Sequence, residues 1–214
     1  MSVEDRVRSH FDADAKRFDA IYDEHKGPVA HLVDDVWRGV VQRRLELTLE
    51  RLAPFEGKRI LDVGTGSGRY CVAYAQRGAH AVGIDLAEAM IDLARQHARH
   101  AGVQDACDFR VGAFPDAVTG ETFDAASAMG YFDYVEDTVA HLEKMRELTT
   151  GRMIVSFPKS RELRAPLRRL RFRIAGTPLF LFSRARVDAV LDAAGLRGAE
   201  LIDLGRDYVV VADA

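Results

Sequence analysis

Cysteine is scarce in this 214-residue chain: Cys71 and Cys107 are its only two, and neither stands in a Cys-x-x-Cys pair or at a Cys/His spacing. Both read as buried thiols of a reducing cytosol. A charge excess is also missing, since 30 Lys and Arg against 33 Asp and Glu leave a net charge of -3. That balance argues against general nucleic-acid binding, because a polyanionic partner usually leaves a basic surplus. The N-terminus is charged from Glu4 onward and has no apolar core, so no secretory signal is expected. No apolar run is long enough to cross a bilayer, and a cytoplasmic location fits. Histidines stand at 10, 25, 31, 80, 97, 100 and 141 without a metal-ligand grouping; His97 and His100 share a helix face but lack a Glu or third ligand nearby. No metal is expected. Repeats, low-complexity tracts and an interdomain linker are absent too, which leaves residues 1–214 as one domain's worth of chain.

Within that domain the apolar periodicity changes once. Val7, Phe11, Ala15, Phe18 and Tyr22 recur at helical spacing until Gly27-Pro28, and Leu32, Val36, Trp37, Val40, Leu45 and Leu49 repeat the pattern over Val29 to Leu52. Residues 1–53 are thus a helical extension. From 54 to 214 strands and helices alternate: strand 59–63, helix 67–77, strand 80–85, helix 87–101, strands 107–111 and 123–128. Then follow helix 136–148, strand 152–157, a basic segment, helix 183–194, and strands near 198–204 and 207–212. Such alternation predicts an α/β, Rossmann-like three-layer sandwich, a mostly parallel sheet with helices on both faces. The turn at Gly205 is too short for a crossover, so the last two strands should form an antiparallel hairpin.

Ile60-Leu61-Asp62-Val63-Gly64-Thr65-Gly66-Ser67-Gly68, followed by Val82-Gly83-Ile84-Asp85, reads as strand, glycine turn, helix, and a second strand ending in a carboxylate. This is a nucleotide half-site: a glycine turn lets backbone approach a ligand, and an acid at the second strand end can accept from both ribose hydroxyls. Arg69 stands where the dinucleotide fingerprint needs its third glycine, and the Gly-Lys-Ser/Thr ending of a P-loop is missing.

By residue type and spacing the segment resembles motif I of the class I S-adenosylmethionine (SAM)-dependent methyltransferases, and Val82 to Leu86 resembles their second motif. The resemblance covers roughly residues 58–214 and implies a seven-stranded sheet, SAM as cofactor and S-adenosylhomocysteine (SAH) as product. It places Asp62, Gly64, Thr65, Gly66 and Gly68 along the donor, and Asp85, Leu86 and Met90 at its ribose. Ala113 and Phe114 would face the adenine; many relatives carry a polar residue where Ala113 stands, so backbone groups would have to read the base. Met129 would lie along the cofactor, with Tyr131, Asp133 and Tyr134 facing the acceptor. The N-terminal helices, with Phe18 and Tyr22, could close over the cofactor as a lid or simply pack as an apolar stripe.

An aromatic cluster at Tyr131, Phe132 and Tyr134 suits a sulfonium, because ring faces attract cations; Phe132 reads equally well as loop packing. Methyl transfer is an in-line displacement in which positioning does most of the work, so a base is optional. Asp133, Tyr134, His141 and His31 are its candidates, although Asp133 could instead cap a helix and His141 could simply be packed or solvated. Lys159 and the basic stretch 161–173 read as a solvated face, an anion site or a surface for an amphiphile. The segments His10 to Glu24 and Ser156 to Arg169 resemble the magnesium-protoporphyrin methyltransferases, whose acceptor is a carboxylate. The reading that results is an enzyme methylating a small molecule, anionic or aromatic, most often at oxygen. A SAM-binding regulatory or partner protein without turnover is the alternative. A nucleotide-dependent oxidoreductase is disfavoured by Arg69.

Overall fold

The computed structural model describes the backbone of residues 2–20, 28–160 and 178–214, and their side chains except at 13–20, 28–38 and 40. Tyr22, the basic stretch 161–173, and the side chains of Phe18 and His31 therefore lie outside the described residues. Helices α1 (Val3–Ala20) and α2 (Pro28–Leu52) open the chain. Helix α1 begins earlier than its apolar spacing suggests because Ser2 and Asp5 form a reciprocal cap: Asp5 N donates to Ser2 Oγ at 3.1 Å and Ser2 N to Asp5 Oδ2 at 2.9 Å.

The alternating core follows as β1 (Arg59–Val63), α3 (Arg69–Ala75), β2 (His80–Asp85), α4 (Glu88–His100), β3 (Cys107–Val111) and β4 (Phe123–Ala128). It continues with α5 (Thr138–Leu148), β5 (Thr149–Pro158), α6 (Arg184–Ala193), β6 (Glu200–Asp203) and β7 (Asp207–Asp213). The seven strands are ordered β3-β2-β1-β4-β5-β7-β6. Strands β1 to β5 pair in parallel, whereas β7 runs antiparallel to both β5 and β6. The expected hairpin is present, with β7 inserted between β5 and β6.

Two element boundaries differ from expectation for local reasons. Gly68 has φ +77°, outside the helical region, so the turn of the glycine loop extends to it and α3 starts at Arg69. Strand β5 begins three residues early, at Thr149, directly from α5. A Cβ at Gly151 would sit 2.5 Å from the Asp124 carbonyl, and this close approach accompanies the irregular register between Phe123 and Ala125.

Side-chain alternation along β1 divides the core between the two faces. Leu61 and Val63 pack with Leu142 and Met145 of α5 and Val187 and Leu191 of α6. Ile60 packs with Leu47 of α2, Tyr74 of α3 and Ala94 of α4. On the first face Phe132, Phe157 and Phe182 are fully buried, each contributing about 1.5–3 kcal/mol of burial free energy. The strand order reverses at β1, between β2 and β4, and there the loops beyond the strand ends open a crevice.

Candidate functional site

The glycine loop after β1 is tied from both sides. The N–H groups of Gly64 and Thr65 each donate to the Ile84 carbonyl at 2.9 Å, and Gly66 N donates to Asp85 Oδ2 at 2.9 Å. The other Asp85 oxygen accepts from Ala87 N at 2.9 Å, which leaves lone pairs on both oxygens for further donors. Burial pushes the Asp85 carboxyl up, while its backbone donors oppose that shift.

The loop glycines have unlike surroundings. A Cβ at Gly64 would lie 2.8 Å from Tyr131 Cδ2, and one at Gly68 would lie 2.7 Å from the Ala94 Cβ and 2.9 Å from the Phe109 ring. A Cβ at Gly66 would meet nothing within 4 Å, although its φ of +53° still favours glycine. Open space therefore lies over Gly66 and beside Asp85. Behind the loop, His97 Nδ1 of α4 lies 2.8 Å from the Ser67 carbonyl.

Asp62 is placed differently from Asp85. It shares the face of Ile60 and is buried under the loop, accepting from Thr65 Oγ1 at 2.8 Å and from Ser127 Oγ at 2.6 Å, with Cys71 Sγ at 3.9 Å. Burial raises its carboxyl to about 6 against the pull of the hydroxyl donors. Its described contacts are to the protein itself.

Across the crevice, Gly130 N donates to Ser156 Oγ at 2.8 Å, which anchors the loop after β4 to β5. Tyr131 Oη lies 3.3 Å from His141 Nδ1, and the edge of Phe114 faces the same imidazole at 5.8 Å between centroids. Burial raises the Tyr131 phenol, reinforced by the charges of Glu4 and Asp85; burial lowers His141, opposed by Asp137 and Glu4. At neutral pH the pair is thus a phenol beside an uncharged imidazole, able to accept a proton at nitrogen.

The remaining expected residues are distributed around these groups. Phe132 stacks on Phe157 at 5.1 Å and is core, which matches the packing alternative. Asp133 is buried, and its carbonyl accepts from Phe180 N at 2.8 Å. It is not the cap of the following helix: Asp137 Oδ1 accepts from Ala140 N at 3.1 Å in that role. Leu86 and Ala113 are half-buried, Phe114 belongs to the core, and Met129 packs partly buried behind the β4 loop.

Helix α1 lies over the crevice edge. Asp12 Oδ1 accepts from Ala89 N at 3.2 Å, Phe11 packs with buried Met90, and the Phe11 ring meets Tyr134 edge-on at 5.2 Å. Sequence reading missed Phe11 and Asp12 as site neighbours, and it also missed Arg44. The Arg44 guanidinium comes within 3.9 Å of the Gly130 Cβ position and 3.6 Å of Asp207. Charged residues on a long helix carry no local signal that would single this arginine out.

Among the described residues, no group of three or more His, Cys, Asp or Glu could hold a metal, and no helix is long and apolar enough to cross a membrane.

Comparison with known proteins places the chain in a family. The family described as Methyltransferase domain matches residues 54–178. A ubiquinone biosynthesis O-methyltransferase of Azorhizobium caulinodans is 35% identical over 156 residues, which are 67% of this chain and 61% of that protein. One from Xylella fastidiosa is 37% identical over 117 residues, 53% of this chain and 46% of that protein. The chain thus spans about half the length of the curated relatives it matches. The crystal structure of a magnesium protoporphyrin IX methyltransferase from Synechocystis, with bound SAH, superposes at TM-score 0.80 over 99% of both chains, with 18% identity. The chain belongs to the methyltransferase domain family and has the seven-stranded, Rossmann-like architecture of the class I SAM-dependent methyltransferases.

Proposed function

We propose that this protein transfers a methyl group from SAM to an oxygen of a small-molecule acceptor, releasing SAH. The observation that carries the reading is the open space over Gly66, whose N–H donates to the Asp85 carboxylate, with Tyr131 against the neighbouring Gly64 and His141 beside Tyr131. Oxygen as the methylated atom is supported by the O-methyltransferases among the relatives.

The residues present fit the cofactor. Asp85 keeps lone pairs for the two ribose hydroxyls, and the loop from Gly64 through Thr65 and Gly66 to Gly68 presents backbone without side-chain obstruction at Gly66. Leu86, Met90, Ala113 and Phe114 would enclose the adenosine, and Met129 would border the methionine part. Arg44, beside Gly130 and paired with Asp207, would bring a guanidinium near a ligand carboxylate. When bound, SAM supplies an electrophilic methyl on a cationic sulfur.

The chain's own groups do the rest. Tyr131, Asp133 and Tyr134 would orient the acceptor so that its oxygen lone pair approaches in line, and the aromatic walls keep water out. For a hydroxyl acceptor, His141 takes the proton, directly or through the Tyr131 phenol; a carboxylate acceptor has no proton to lose. Residues 1–53 would serve as a lid on the single 1–214 domain, a role supported by Phe11, Asp12 and Glu4 of α1 at the crevice. The balanced charge favours a small anionic or aromatic acceptor over nucleic acid, and the free thiols of Cys71 and Cys107 favour the cytoplasm.

Calorimetric titration with SAM and with SAH tests the cofactor, and mass spectrometry of phenolic and carboxylate metabolites incubated with SAM tests the reaction. Micromolar binding together with an O-methylated product is expected. Failure of the folded protein to bind either ligand would overturn the reading. Binding without turnover across the acceptor panel would favour the non-catalytic alternative.

A further inference from the structure

Beneath the glycine loop runs a buried chain of hydrogen bonds that the proposed chemistry does not use. Tyr74 Oη of α3 donates to Ser127 Oγ of β4 at 3.0 Å, and Ser127 Oγ donates to Asp62 Oδ1 of β1 at 2.6 Å. Asp62 Oδ2 accepts from Thr65 Oγ1 at 2.8 Å, and Thr65 Oγ1 lies 3.4 Å from Cys71 Sγ. Tyr74 and Ser127 are fully buried, so neither hydroxyl can touch a ligand in the crevice. Thr65 immediately precedes Gly66, whose N–H is held by Asp85. The loop is thus clamped between two carboxylates, one below and one at its rim.

The direction of the chain matters. Tyr74 donates to Ser127, and the Ser127 proton goes to Asp62 at 2.6 Å in preference to the Leu61 carbonyl at 3.4 Å, while Thr65 can donate its proton to the same carboxylate. This arrangement needs Asp62 ionised. A protonated Asp62 is itself a donor, so one hydroxyl must turn its proton away, Thr65 toward Cys71 Sγ at 3.4 Å or Ser127 toward the Leu61 carbonyl at 3.4 Å, and either turn breaks the relay that ties the loop to β4.

We infer that Tyr74 and Ser127 are positioning residues which, through Asp62 and Thr65, hold the glycine loop in register for the methyl donor and set the lower pH limit of donor binding. The inference rests on SAM being the ligand of this loop. The groups facing Asp62 are Cys71 and Tyr74 from α3, Thr65 in the loop, Ser127 from β4 and, at longer range, Asp85 at the end of β2. Cys71 and Tyr74 are both pushed up by burial and stay protonated in the relevant range. Asp62 and Asp85 are therefore the groups there that titrate on the acid side, and Asp85 touches neither hydroxyl.

The test is SAM affinity measured by calorimetry from pH 5 to 8 in wild type, Ser127→Ala and Tyr74→Phe. The wild-type profile should weaken as pH falls through about 6. Losing the Ser127 donor removes a bond that favours the carboxylate, so in Ser127→Ala this limb moves to higher pH by roughly half a unit or more. Tyr74→Phe keeps the stack on Phe55 and should move the limb in the same direction by less. Because the two hydroxyls act in series, the double variant should match Ser127→Ala, the non-additivity of a shared network. A change in packing alone would lower affinity at every pH and leave the limb in place. That result in either folded variant overturns the inference, and Tyr74→Phe carries the test if Ser127→Ala does not fold. A folded wild type that binds no SAM at any pH would instead overturn the cofactor reading, and this inference with it.

Discussion

Alanine at Gly66 and at Gly68 should have opposite consequences, although the two glycines stand two residues apart in one loop. Both have positive φ, +53° and +77°, so each substitution incurs the left-handed penalty of roughly 1–2 kcal/mol. At Gly68 the new Cβ would also be forced to 2.7 Å from the Ala94 Cβ and 2.9 Å from the Phe109 ring. Overpacking of that kind adds about 1–3 kcal/mol, for a total of roughly 2–5 kcal/mol. At Gly66 the Cβ enters open space, so stability should fall by no more than the backbone strain. That space is where the donor is proposed to lie, and a methyl group in it should weaken SAM binding by about tenfold or more, a loss of ~1.4 kcal/mol. Urea unfolding followed by circular dichroism gives the first quantity, and calorimetric titration with SAM the second. Gly68→Ala should be the less stable protein and Gly66→Ala the weaker binder. Wild-type SAM affinity in Gly66→Ala would refute the placement of the cofactor, and wild-type stability in Gly68→Ala would refute the packing argument.

Other expectations follow from individual side chains. Asp85→Ala should lose the ribose acceptor and the Gly66 anchor together, with SAM affinity falling by about two orders of magnitude while the protein stays folded, as read by calorimetry and circular dichroism. Arg44→Ala should lower stability, read as a lower urea midpoint, because it leaves the buried Asp207 carboxylate without its ion-pair partner, and SAM binding should become weaker and less dependent on salt than in wild type. Asp62 titrates at about 6 when folded against 3.8 as its reference, so its ionised form is disfavoured in the folded state. Its contribution therefore falls as pH rises from about 4 to 6, by up to about 3 kcal/mol, and Asp62→Asn should flatten that part of the pH–stability curve. With a hydroxyl acceptor, turnover should rise with pH as His141 loses its proton, at a pH below the usual imidazole value. His141→Asn should lower kcat there by about a hundredfold or more and spare SAM affinity.

Much of this architecture is local in origin. Strands β1, β2 and β4 are short, mostly apolar runs bounded by turn residues, because a parallel strand covered on both faces has little polar side to show, whereas the edge strand β3 alternates as Cys107-Asp108-Phe109-Arg110-Val111. Their limits were accordingly legible, even in β4, whose Ala and Ser residues have poor strand propensity. The glycine loop and Asp85 were legible for a similar reason: a tight turn against a ligand requires specific residue types at specific spacing. The early start of β5 was not, since it depends on Gly151 lying against the Asp124 carbonyl of another strand. Nor was the core position of Phe132, which is decided by Phe157 arriving from β5.

By itself, then, the sequence determined the alternating α/β core, its C-terminal hairpin and the strand-end loops that form the crevice, because periodicity and turn chemistry act between near neighbours. Tertiary structure alone decided which polar groups face one another. Asp62 and Asp85 both stand near strand ends, each two residues from a glycine, yet one is sealed beneath the loop with Ser127 and Tyr74 and the other stands at its rim. His141 meets Tyr131 only because α5 returns past the β4 loop, and Arg44 reaches Gly130 only because α2 crosses to β7. Most of these encounters join residues far apart in the chain, and none is encoded in a local pattern, because packing brings the partners together.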